Sequence, residues 1–163
     1  MTIYDKDQID ELYESNLTVA KQKLSEIKVF CGTEPSFSGL NGWVFEQTIQ
    51  YCLRKELEAR KVRAEIKEQV KLKSRVKVDI GIGKVVIEIK QSGLFNSPDI
   101  DKYKRYRKFA CDKGLEYLFV SGGESYQPYK DGVIKAIGQE NAFFLDKDGE
   151  WERFISRLVR LVK

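Results

Sequence analysis

Histidine is absent from all 163 residues of the chain. Its absence excludes Ser-His-Asp hydrolysis, histidine-dependent nuclease chemistry and zinc sites built on imidazole. Cysteine is scarce: Cys31, Cys52 and Cys111 are odd in number and widely spaced, with no C-x-x-C pair. Reduced thiols without a disulfide framework are expected, and no histidine is present to activate one as a nucleophile. No apolar run reaches the length of a membrane span, and the first residues, MTIYDKDQIDELYE, are too acidic and polar for a secretory signal. The expectation is a cytoplasmic protein with no membrane partner. Repeats, low-complexity tracts and linkers are lacking too. With 42% hydrophobic residues, the chain is read as a single domain over residues 1–163 with a core of its own.

What remains is Asp, Glu, Lys, Arg, Tyr, Ser, Thr and Cys, in a chain that is 33% charged with a formal charge of +4. That mild excess permits a polyanionic partner without demanding one.

The order of elements follows from periodicity. Residues 5 to 29 space Ile9, Tyr13, Leu17, Ala20, Leu24 and Ile27 by three or four, which predicts an amphipathic helix packed on the core or on a partner subunit. CGTEPSFSGLNG, residues 31 to 42, is a loop feeding a second helix over about 40 to 60, with Val44, Phe45, Ile49, Cys52, Leu53 and Leu57 facing inward and Glu46 near its first turns. AEIKEQVKL and the segment 77 to 90 predict strands. Ser97 and Pro98 open another helix, and YLFV, residues 117 to 120, forms a strand parallel to the one ending at Lys90, since the connection has crossover length. A short helix over 129 to 137, a strand over 142 to 145 and a closing helix over 150 to 162 complete the reading.

KVDIGIGKVVIEIK, residues 77 to 90, carries the chemistry. Gly83 and Lys84 suit a two-residue reverse turn. In that register Asp79 faces Glu88. Lys77, Asp79 and Gly81 share a face with Val86, Glu88 and Lys90, while Val78, Ile80, Ile82, Val85, Ile87 and Ile89 make the other, wholly apolar face. Two carboxylates opposed across a strand pair repel and call for a neutralising partner. Magnesium or manganese, which prefer oxygen ligands and keep several waters, fits that role beside Lys90, as does a plain surface ion-pair ladder. Glu68 is left unplaced, because the turn near Lys73 and Ser74 leaves its register open.

Basic residues cluster around this segment. KYKRYRK sets Lys102, Lys104, Arg105, Arg107 and Lys108 with Tyr103 and Tyr106 on one helix, a combination suited to phosphate and base contacts. A second cluster runs from Arg60 to Lys77 and includes Lys73 and Arg75; a third, at helical spacing, is Arg153, Arg157 and Arg160. The segment QSGLFNS, beginning at Gln91 and Ser92, is small and polar enough to approach a nucleic-acid backbone.

A helix, three antiparallel strands, a helix and a parallel strand, with Asp79 on the second strand and Glu88-Ile89-Lys90 on the third, resemble the PD-(D/E)XK nuclease superfamily, which includes restriction endonucleases and archaeal-type Holliday junction resolvases. The resemblance spans roughly residues 40 to 120, and Gly42-Trp43-Val44-Phe45-Glu46 matches a G-x-x-x-E element of several branches. Val78 stands where the family usually has proline, and the Q-x-x-x-Y of some exonuclease branches is missing. The resemblance implies an α/β fold with a restriction-endonuclease-like core, extended by an amino-terminal helix over residues 1–30 and a carboxy-terminal helix. It further implies Mg²⁺, with Mn²⁺ as substitute, held by Asp79, Glu88, the Ile89 carbonyl and Glu46, and Lys90 orienting the attacking water.

The function expected on these grounds is metal-dependent DNA endonuclease, either sequence-specific or structure-specific like a junction resolvase. A non-cutting nucleic-acid-binding module of the same fold and an assembly protein with a merely solvated charged face are the alternatives. DNA, duplex or branched, is the expected partner, contacted by Gln91, Ser92, Lys102, Tyr103, Lys104, Arg105, Tyr106, Arg107, Lys73 and Arg75. Paired cuts need two sites, so a homodimer or higher symmetric oligomer is expected.

Overall fold

A computed structural model of the chain describes residues 1–31, 39–91, 97–123 and 125–163. The described elements are α1 (Lys6–Cys31), α2 (Leu40–Ala59), β1 (Ile66–Lys73), β2 (Val76–Ile82), β3 (Val85–Lys90), α3 (Ser97–Asp112), β4 (Glu116–Ser121), α4 (Gln127–Ile137), β5 (Ala142–Phe144) and α5 (Glu150–Val162), with one 3₁₀ turn over Gln139–Asn141. Each element expected from periodicity is present, with ends shifted by a residue or two.

The five strands form one mixed sheet in the order β1-β2-β3-β4-β5. β1, β2 and β3 are antiparallel neighbours, whereas β4 and β5 continue the sheet in parallel. Helices cover both faces. α1, α2 and α5 pack Tyr13, Phe45, Ile49, Leu53, Phe154 and their neighbours on one face, and α3 and α4 pack Tyr103, Ala110, Tyr129 and Val133 on the other. This explains why β3 reads VVIEIK: as the central strand it is covered on both sides, so Val85 to Ile89 are all buried and strict alternation is lost.

One buried polar node closes the α1, α2, α5 layer. The fully buried Glu56 accepts hydrogen bonds from Trp151 Nε1 at 3.0 Å and from the backbone N–H groups of Ile3 at 2.9 Å and Tyr4 at 3.1 Å, and it pairs with Arg60. A buried carboxylate is tolerated only when supplied with donors in this way.

The face assignment of the hairpin needs correction. Ile80, Ile82, Val85, Ile87 and Ile89 face α2 as expected, but Val78 lies on the opposite side with Leu72, Val86 and Tyr103. At the same level of the sheet β1 carries a backbone irregularity at Gln69, whose φ of 50° is the left-handed region that a non-glycine residue seldom adopts. The β1–β2 ladder pairs Glu68 with Ile80 and Val70 with Val78 but skips Gln69 opposite Asp79. Side chains on either side of that break point to different layers.

Candidate functional site

The break at Gln69 and Asp79 opens the sheet. The β2–β3 ladder runs from Ile82 and Val85 to Ile80 and Ile87, and no ladder pair follows between Asp79 and Glu88. Instead the Ile89 N–H donates to Asp79 Oδ2 at 2.7 Å. A side-chain carboxylate thus takes the place of a backbone partner, relieving the direct opposition expected for Asp79 and Glu88. The gap admits groups from both helical layers, Glu46 from α2 and Lys102 from α3.

Electrostatics show how tightly these groups are held together. Burial, then the charges of Asp79, Glu88 and Glu68, push the Glu46 carboxyl up to about 7, offset in part by a hydrogen bond from Gln69. Burial and then Asp79 push Glu88 up to about 7, against the pull of Lys102 and Lys90. Burial also raises Asp79, opposed by the Ile89 N–H, Lys102, Gln69 and Lys90. Gln69 lowers both Glu46 and Asp79, which places the unusual backbone of β1 beside the site itself.

The cations are paired. Lys102 Nζ lies 3.1 Å from Glu88 Oε1, whereas Glu88 Oε2 is buried with no hydrogen-bond partner. Lys90 Nζ lies 3.5 Å from Asp99 Oδ2 in the first turn of α3. A cavity of about 400 Å³ adjoins the site on the α2 side, lined by Glu46, Ile89 and Lys90 with Gly42, Trp43 and Gln91.

Among the described residues, no three Asp, Glu or Cys side chains form a ready-made metal cage. The donor set nonetheless suits a hard divalent cation. It offers carboxylate oxygens that resist carrying their charge unaided, one of them buried and unpartnered at Glu88 Oε2.

Several sequence expectations meet their surroundings here. Asp79, Glu88, Glu46 and Lys90 are brought together as expected, and Ile89 and Gln91 border the cavity. Lys102, expected on DNA, is turned into the carboxylates, and Tyr103 is corrected outright: it is buried, with its hydroxyl 3.1 Å from that of Tyr129, and offers no surface. Lys104, Arg105 and Lys108 are exposed, and Tyr106 and Arg107 are half-buried. Exposed Lys73 sets its ammonium 4.9 Å from the Phe109 ring on α3, so the two nearer basic clusters adjoin; Arg75 is exposed at the β1–β2 turn. The third cluster is structural in part: Arg153 binds Glu150 and the carbonyls of Gln139 and Ala142, and Arg157 reaches Asn141. Ser92 and most of the segments 31 to 42 and 91 to 97 lie outside the described residues.

Gln69 and Asp99 were not legible as site residues. For Gln69 the faint signal is Glu68, a charged residue where the alternation of Ile66, Val70 and Leu72 asks for an apolar one.

Gly122 braces the site from behind. Its N–H donates to the Lys90 carbonyl at 2.9 Å, and a Cβ there would come within 2.3 Å of the Phe45 ring, the neighbour of Glu46 on α2. Gly122→Ala is expected to destabilise the fold by about 2 kcal/mol through overpacking, measured by denaturant unfolding. An unchanged midpoint would mean that Phe45 repacks freely.

Comparison of the chain with protein-family models, curated proteins and solved structures found no match.

Proposed function

We propose that this chain is a divalent-metal-dependent endodeoxyribonuclease of the PD-(D/E)XK type, with a restriction-endonuclease-like core. The observation that carries the reading is the opened end of β2 and β3, where Asp79 and Glu88 lie outside the ladder close to Glu46 and Lys90, the latter two lining a cavity, and buried Glu88 Oε2 has no partner. Carboxylates pushed upward by burial and by one another are characteristic of functional sites.

Asp79, Glu88, the Ile89 carbonyl and Glu46 would hold Mg²⁺ or Mn²⁺. When bound, such an ion lowers the pKa of water and offsets the charge growing on a scissile phosphate. The chain's own residues supply the rest. The Ile89 N–H fixes the Asp79 carboxylate by its 2.7 Å bond, so one ligand needs no reorganisation. Lys90, partly exposed at the cavity wall, orients the attacking water and donates to the phosphate, which requires that it leave Asp99. Exposed Lys104, Arg105 and Lys108 on α3, adjoining Lys73, carry the flanking phosphates. A homodimer supplies the second site for paired cuts.

The test incubates the protein with supercoiled plasmid, linear duplex, single strands and a four-way junction, in Mg²⁺, Mn²⁺ or EDTA. Cutting of at least one substrate is expected with either metal and not with EDTA, falling by at least about a hundredfold in Lys90→Ala. Binding without cutting under every condition would make the chain a nucleic-acid-binding module, a reading favoured by the engagement of both Lys90 and Lys102 with acids.

A further inference from the structure

We propose that Lys102 is a resident counter-ion of the carboxylate site, holding Glu88 until a divalent cation displaces it and frees its ammonium for the substrate phosphate. This deepens the reading above and rests on it.

Geometry supplies the first argument. Lys102 satisfies Oε1 of Glu88 at 3.1 Å and leaves Oε2 buried and unpartnered, so the carboxylate is only half neutralised. Lys90 cannot take over that task while Asp99 holds it from the same turn of α3. Neutralisation of Glu88 therefore falls largely on Lys102, and a cation of double charge is the better competitor.

Exposure supplies the second. The Lys102 side chain is 36% exposed, while that of its partner Glu88 is 9% exposed. The pair Lys130 and Asp146 elsewhere in the fold also leaves one carboxylate oxygen, Asp146 Oδ1, buried and unpartnered. That pair, however, is 2.6 Å apart with side chains 8% and 16% exposed, as a permanent brace should be, so length and exposure are what set Lys102 apart. Lys102 has a solvent route that Lys130 lacks. In its paired position its ammonium also lies 5.2 Å from the Tyr106 ring centroid and 5.7 Å from that of Tyr103, so Glu88 is not its only attractive neighbour. Next along α3 are exposed Lys104 and Arg105, so a released Lys102 joins a basic surface already present.

Mn²⁺ titration by calorimetry on DNA-free protein at pH 8.5 tests this. Lys102→Met is expected to bind Mn²⁺ about tenfold more tightly than the unaltered protein, the scale of one charge-assisted hydrogen bond no longer displaced. Lys102→Arg, which keeps the charge, stays close to the unaltered protein, and Glu88→Gln loses most binding. If Lys102→Met binds no more tightly while Glu88→Gln still abolishes binding, the counter-ion role is wrong and the metal reading stands. If neither the unaltered protein nor Lys102→Met binds Mn²⁺, the metal reading fails and takes the proposal with it. A measurement on the unaltered chain guards against a variant that does not fold: acylation of Lys102, followed by mass spectrometry, should quicken about threefold or more from EDTA to saturating Mg²⁺ as its ion pair opens. Exposed Lys84 in the β2–β3 turn serves as the constant reference. Bound Mg²⁺ with no change at Lys102 overturns displacement.

Discussion

Glu88→Gln is expected to abolish cleavage while making the protein harder to unfold. The side chain is 9% exposed, keeps one oxygen without a partner, and is pushed up to about 7 by burial and by Asp79 even with Lys102 beside it. Its charged form is therefore disfavoured in the fold at alkaline pH. An isosteric amide removes that charge and retains an oxygen for Lys102. The gain at pH 8 without divalent cations should be on the order of 2 kcal/mol, set by the gap between the folded and ordinary carboxyl values. On the proposed metal role the same change removes an anionic ligand, and losing several kcal/mol of transition-state stabilisation lowers the rate by about 10³-fold or more. Urea unfolding and a plasmid-nicking assay on one preparation read both quantities. A variant that loses activity and stability together would point to Glu88 as a structural ion-pair member.

In EDTA, stability should fall as pH rises from about 4.5 to above 7, and added Mg²⁺ should recover it at pH 8. Glu46 and Glu88 each have an ordinary value of 4.5 and a folded value of about 7, so between those limits the folded chain binds more protons than the unfolded one. Stability declines with pH wherever that holds. The contribution is present in full below about 4.5 and lost as pH passes through about 7; Asp79 acts in the same direction. Other carboxylates add their own pH dependence, which cancels in the difference between the unaltered protein and Glu46→Gln/Glu88→Gln. That difference should grow across the window and shrink when Mg²⁺ binds the ionised acids of the unaltered chain. Parallel pH curves for the two proteins would show that the acids do not repel in the fold.

Much of the frame was legible because its signals are local. Helical spacing marked Val44 to Leu57, the crossover length made β3 and β4 parallel, and Gly83 with Lys84 marked the hairpin turn. Asp79, Glu88 and Lys90 followed from a turn and a period of two. Strict alternation fails at Val78, which lies in the other layer at the level where the neighbouring strand has its left-handed residue, Gln69. Such a break has no signature in β2 itself. The helical face of α3 was misjudged for a related reason. Lys102 and Tyr103 sit in a basic run that reads as uniformly exposed, yet one turn of that run is the inner surface of the fold. Which lysine of KYKRYRK points inward depends on where α3 lies over β3 and β4, a fact of packing rather than of sequence.

The Glu56 node has a consequence for motion. By gathering Ile3, Tyr4, Arg60 and Trp151 around one buried oxygen pair, it joins the start, middle and end of the chain into a single cooperative unit. Lifting α5 alone strands a carboxylate, so that layer must open whole or stay shut. The opposite layer is braced away from the site, by Lys130 with Asp146 and by the Tyr103 and Tyr129 hydroxyls, whereas at the site itself α3 meets the strands through two partly exposed charge pairs, Lys90 with Asp99 and Lys102 with Glu88. Local opening at the site is therefore expected first at these two α3 pairs, with the α2 wall as the more fixed side.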